Sequence, residues 1–147
     1  MKNVWSIICN NSSIDPQTNL LSLHNCVEEI KIEIDKTKIS KNNQIVIPVN
    51  LQLISAWAIE DFSKENKVDV KLEFVSPLGE VLNEFFIVLK SKKGDKRLRS
   101  ITNIQGIKIL ESGRYYYRVS KKRGRGFEVV SEVPLDIDIA YKIFNNK

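Results

Sequence analysis

Histidine is almost missing from this chain: His24 is the only one, and Cys9 and Cys26 are the only cysteines. Three side chains of that kind, scattered over one stretch, are too few for a zinc site or a disulfide framework. No metal and no other cofactor is expected. Acid–base and nucleophilic chemistry near neutral pH usually recruits histidine. His24 lies between Leu23 and Asn25 in a strand-like stretch, where the ordinary reading is a surface or partly buried strand residue. There is no Walker loop, no dinucleotide fingerprint and no nucleophile elbow, so no catalytic residue is assigned and the chain reads as non-enzymatic. Asp136 and Asp138 would share one strand face, but a hard-cation site takes six to eight oxygens from several segments, so no metal site is assigned to them.

Long apolar runs are missing too. The patch that opens the chain closes at Asn10, Asn11, Ser12 and Ser13, too soon for the core of a signal peptide. No later run approaches the ~20 residues that cross a bilayer. The expectation is a cytoplasmic protein with no membrane span. Apolar stripes at helical spacing are equally scarce.

What is present is alternation, in a chain that is 42% apolar. Val4 to Cys9 and Leu20 to Cys26 flank the turn residues Asp15, Pro16, Gln17, Thr18 and Asn19. A hairpin centred between Gln17 and Thr18 makes positions summing to 35 face each other, which sets Cys9 opposite Cys26. Two small buried thiols in a reducing compartment are the plain reading of that pair. Ile30, Ile32 and Ile34 follow a break in parity at Val27 and Glu28, read as a β-bulge, and a polar loop is expected over 36–43. From Ile45 to Ile59 the alternation is long enough to demand a bend near Pro48 or Ser55, with Pro48 favouring an edge position. Val68, Val70, Leu72 and Phe74 lead through Ser76, Pro77, Leu78 and Gly79 into a return strand, 80–90. That strand is apolar on both faces, with Phe86 and Val88 opposing Phe85, Ile87 and Leu89, and so reads as central or loop-covered. A strand from Arg97 is interrupted at Gly106, and another starts at Gly113. The tail beyond Phe127 alternates through Pro134 to Ile143 and reads as extended, with a terminal helix as the alternative.

Ile107 to Val119 carries the strongest local signal: Gly113 turns the chain, and Tyr115, Tyr117 and Val119 then share one face. The Gly-x-Tyr-x-aromatic-x-Val run is similar to the tyrosine-corner strand of immunoglobulin-like sandwiches, in which a tyrosine hydroxyl pins the incoming loop. Trp5, Trp57 and Tyr115 to Tyr117 offer a stacking platform, but aromatics at strand spacing are more often core. The fold expected is therefore a single domain, 1–147, forming an all-β antiparallel sandwich, immunoglobulin-like or similar, of about eight or nine strands.

Several of these stretches also resemble a family of small, uncharacterised bacterial domains. They are Ile7-Ile8-Cys9, Ile14-Asp15, Thr18 to Leu23, Glu28-Glu29-Ile30, the Pro77-Leu78-Gly79-Glu80 hairpin and the Gly113 to Val119 strand. The resemblance spans nearly the whole chain and implies a sandwich fold with no assigned activity, so it supplies no catalytic or binding residue.

Charge is unevenly placed. From Lys90 to Arg125 there are thirteen basic residues, including all six arginines, against Asp95 and Glu111, a local charge of +11 in a chain whose total is +5. Such asymmetry points to an anionic partner, although lysines also keep strand edges from aggregating. If the strand from Arg97 makes one bent pass, the turns on either side of the run meet at one end of the sandwich. Lys92, Lys93, Lys96, Arg97, Lys121, Lys122, Arg123 and Arg125 are then the anion-binding candidates. The functional expectation is a binding or assembly module whose partner is another protein, with nucleic acid or another polyanion as the alternative ligand.

Overall fold

The computed structural model describes residues 1–39 and 45–143. Strands make up 74% of the described residues in an all-β, two-sheet arrangement consistent with a sandwich, in which the larger sheet curls into a half-barrel. In chain order they are β1 (Lys2–Ile14), β2 (Leu21–Cys26), β3 (Glu29–Asp35), β4 (Ile45–Ala58), β5 (Asn66–Val75), β6 (Val81–Ser91), β7 (Arg97–Ile109), β8 (Gly113–Arg123) and β9 (Gly126–Lys142). One sheet has the order β2-β1-β4-β7, the other β3-β9-β8-β5-β6. A 3-10 turn, Lys36–Lys38, follows β3. Residues 40–43 of the loop expected over 36–43 lie outside the described residues.

The first hairpin has the expected register. Cys9 faces Cys26 and Asn11 faces His24, and the Asp15 carboxylate accepts from the amides of Gln17 (2.7 Å) and Thr18 (3.0 Å) to close the turn. Both thiols are free, but only Cys9 is buried; Cys26 is exposed, because β2 is an edge strand with little packed against it.

Residues 27 and 28 are not a bulge. The amide of Val27 still donates to Ile8 of β1 (2.9 Å), while the carbonyl of Glu28 accepts from Asp136 of β9 (2.9 Å). The chain changes sheets there. That crossing lays β3 beside β9 in parallel, with Ile30 against Ile137 and Ile34 against Tyr141. The expectation of a wholly antiparallel sandwich is corrected accordingly: β3 enters the second sheet running in the same direction as β9, and strands joined by a long connection, unlike those of a tight hairpin, can pair in parallel. β9 stays extended to Lys142, which sets aside the helical alternative for its described part.

The bend in β4 falls at Pro48. Its ladder with β7 shifts between Pro48, opposite Gly106, and Leu51, opposite Ile104. β1 pairs with β4 only as far as Gln52, so the stretch carrying Pro48 has one ladder side open, as a residue without an N–H requires. Gly106 therefore marks an irregularity inside one continuous strand. The 76–79 turn is closed by the Gly79 amide donating to the Ser76 carbonyl (3.0 Å), with Gly79 at φ +88°.

β6 lies at the edge of its sheet, contrary to the reading of 80–90 as central or covered. Its inward residues close the core over β5. Phe86 and Val88 on its outer face stay 60% and 50% exposed. An apolar pattern on both faces arises here without a covering layer.

Between the sheets lie Ile8, Leu53, Trp57, Val70, Phe74, Ile107, Tyr115, Tyr117, Val119 and Leu135 among others. The Phe74 ring stacks on Tyr115 (5.2 Å between centroids) and meets Tyr117 at 4.7 Å. Trp57, Tyr115 and Tyr117 are thus core, whereas Trp5 is exposed on the first sheet. The Tyr115 hydroxyl donates to the carbonyl of Glu111 (2.7 Å) and accepts from the amides of Leu110 (3.0 Å) and Glu111 (3.2 Å). It pins the loop into β8, as its spacing from Gly113 predicts.

Candidate anion-binding end

Strand directions decide where the basic turns go. Asn66 faces Ser91, Val70 faces Lys121, Ala58 faces Arg97 and Lys2 faces Ala58. The start of β5 and the ends of β6 and β8 therefore lie at one end of the molecule, together with the starts of β1 and β7. The 92–96 turn and the β8–β9 hairpin turn are both there. Within the curled sheet β8 and β6 are two strand positions apart, roughly 10 Å.

The first turn is held by its own backbone. The Asp95 carboxylate accepts from the Lys92 amide (2.8 Å), Gly94 takes φ +92°, and its amide donates to the Phe62 carbonyl (2.8 Å). This fastens the turn to the 59–65 loop and leaves the Lys92 and Lys93 side chains in solvent. Lys96 reaches over the Phe62 ring (5.7 Å), and the Arg97 guanidinium donates to the Lys96 carbonyl (3.2 Å).

The second turn is a two-residue hairpin with Gly124 first, at φ +60°, which matches the twist of the flanking strands. Arg123 donates to both carboxylate oxygens of Glu128 (3.1 and 3.0 Å), and Lys122 lies 3.7 Å from Asp69. The Lys121 ammonium donates to the Met1 carbonyl (2.9 Å), and the Met1 amino group pairs with Glu60 (3.2 Å). Arg125 is exposed at the hairpin tip. Beside this hairpin is a groove of about 590 Å³ lined by Lys2, Lys121, Lys122, Arg123 and Glu128, with Asn3, Val129 and Val130.

The eight candidates thus share one end, but they do not share one chemical state. Lys92, Lys93 and Arg125 carry no ion pair among the described residues, while Arg123 and Lys122 are matched by local acids. Glu60, Asp61, Glu65 and Asp69, supplied by a distant stretch of sequence, offset part of the charge. The remaining arginines of the basic run are also occupied. Arg114 binds Asp136 through two bonds (2.7 and 2.9 Å), Arg118 binds Glu132 (2.9 Å), and Arg99 donates to the Asn19 carbonyl (2.8 Å). The Arg114 guanidinium holds the Asp136 carboxyl below the usual carboxylate range. Counting charge along the run missed these pairs. The β8–β9 register that creates the Arg114 and Arg118 pairs was available from the Gly124 turn, since Arg118 and Glu132 stand nearly symmetrically about it.

No family model matches the chain, and no curated protein does either.

A second concavity, of about 400 Å³, opens where the edge strands β6 and β7 diverge. Phe74, Phe85, Ile104, Ile107 and Tyr117 give it an apolar floor, with Asn83, Asn103 and Gln105 at its mouth. Its ionisable side chains are Lys108 and Tyr117, and burial pushes the Tyr117 phenol up. His24, by contrast, is exposed on β2, 3.3 Å from the Ser13 hydroxyl.

Proposed function

We propose that the protein is a non-enzymatic binding or assembly module of a bacterial cell, and that its basic end takes a polyanion such as a nucleic acid. The observation that carries this reading is the strand register that brings the 92–96 turn and the Gly124 hairpin to one end. Lys92, Lys93 and Arg125 are its main contacts, because they are exposed and unpaired among the described residues. Lys96, Arg97 and Lys121 extend the positive field around them within a Debye length or two, while Lys122 and Arg123 are matched by Asp69 and Glu128. The non-enzymatic part is supported by the setting of His24 on an exposed edge strand and by the amide and apolar lining of the second concavity. The immunoglobulin-like reading of the sandwich is supported by the Tyr115 hydroxyl bonds. A cytoplasmic setting suits the facing free thiols of Cys9 and Cys26.

The test is binding to duplex DNA and to heparin as salt rises, comparing the wild type with Lys92→Glu/Lys93→Glu/Arg125→Glu. None of the three holds an internal ion pair among the described residues, so their reversal leaves the Arg123–Glu128 pair in place. On DNA, the log–log salt slope should shrink by about 2 to 3 if all three meet phosphates. Binding that ignores both salt and the reversal would leave these residues as solubilising charges.

A further inference from the structure

The edges of the two sheets are not equally protected against pairing with another chain. β2 is only six residues long. β3 carries Glu29, Lys31, Glu33 and Asp35 on one face, and β7 carries Arg97, Arg99 and Lys108 and is irregular at Gly106. Short length, charge and irregularity are the usual devices that blunt an edge. β6 is eleven residues long, contains no proline, and keeps an unbroken register with β5 from Ser91 to Asn83. Its outer face shows Phe86 and Val88, and Phe86 is steadied against Phe127 at 5.8 Å.

The charges bracketing these two residues are badly placed within one copy. Lys90 stands opposite Lys67, and Glu84 stands opposite Glu73. Like charges directly across a ladder are unfavourable. Glu73 finds Lys71 at 2.9 Å, but Lys67, Glu84 and Lys90 make no ion pair among the described residues. The outer face of β6 therefore reads Glu, Phe, Val, Lys at 84, 86, 88 and 90, with an unanswered charge at each end.

That order is self-complementary. We infer that β6 pairs antiparallel with β6 of a second copy about a two-fold axis at Ile87, joining the two curled sheets into one. In this register Glu84 faces Lys90 of the other copy, Phe86 faces Val88, and each relation occurs twice, as an isologous contact demands. The neighbouring registers that keep the same faces together do worse. Centring on Phe86 sets Glu84 against Val88 and Lys90 against Leu82, and centring on Val88 sets Phe86 against Lys90. The inference is independent of the basic end.

Sedimentation and light scattering of the reduced protein over a range of concentrations test it, and a concentration-dependent dimer is expected. Glu84→Lys and Lys90→Glu should each raise the dissociation constant about tenfold or more, because two attractive cross-strand pairs become repulsive. The double swap should restore dimerisation to within a few-fold of the wild type. Phe86→Ser, at an exposed position, should leave the far-ultraviolet spectrum intact and weaken the dimer as well. A protein monomeric at every concentration, or a dimer indifferent to the single reversals and to Phe86→Ser, overturns the inference.

Discussion

Tyr115 and Gly113 show how one residue's chemistry fixes a larger piece of chain. The Tyr115 hydroxyl satisfies two amides and one carbonyl in the loop ahead of β8, so Tyr115→Phe strands the partly buried Leu110 and Glu111 amides and should cost on the order of 1–2 kcal/mol. Gly113 has φ +153°, and a β-carbon there would stand 2.7 Å from Cγ of Pro77. Gly113→Ala should therefore cost more than the tyrosine change, through backbone strain and through the clash. Pro77→Ala removes the nearest atom, so urea melts of the double variant should show it more stable than the sum of the single effects by about 0.5 kcal/mol or more. Strict additivity would mean that the close approach is relieved in some other way and that φ alone governs the site. The spacing of Gly113 from Tyr115 made the pin legible in the sequence. The part played by Pro77 was not, because nothing local ties a turn after β5 to the start of β8.

Strands were legible where a turn residue and an alternating pattern occur together, and pairing was legible only across short loops. The first hairpin follows from one symmetry centre, and the Ser76 to Gly79 turn joins β5 to β6 as its residues require. The sheet change at Val27 and Glu28 leaves the same local trace as a bulge, a shift in parity, and only the bonds to Ile8 and Asp136 distinguish the two. The parallel contact of β3 with β9 joins segments far apart in sequence, which no periodicity can announce. β6 was misplaced because two apolar faces signal a demand for cover without saying what meets it. This layout also sets a stability order. β8 is flanked on both sides and carries buried Tyr115, Tyr117 and Val119, whereas β2 has β1 alone as a partner among the described residues. Hydrogen exchange should find β2 amides opening first and β8 amides only in near-global unfolding. Equal protection in the two strands would contradict that order.

At the scale of the whole molecule, the +11 run becomes one basic end and a ladder of arginine–carboxylate pairs along β8 and β9. The two proposed surfaces then constrain each other. In the β6 pairing inferred above, Ser91 of one copy faces Asn83 of the other, so the ends of the two β6 strands that lead into the basic turns are separated by eight residues, roughly 26 Å at ~3.3 Å per residue. The two basic ends point in opposite directions, several Debye lengths of about 8 Å apart at physiological salt. Their fields do not add, and a short polyanion touching one end cannot reach the other. A short duplex should therefore bind one per protomer, with the same affinity and salt slope in the dimer and in a monomeric Phe86→Ser/Val88→Ser variant, which changes no charge. Calorimetric titration of both proteins with the same duplex measures this. A large loss of affinity in the monomeric variant would show that both copies grip one ligand, which the register centred on Ile87 does not allow, and the two β6 strands would have to meet in another arrangement.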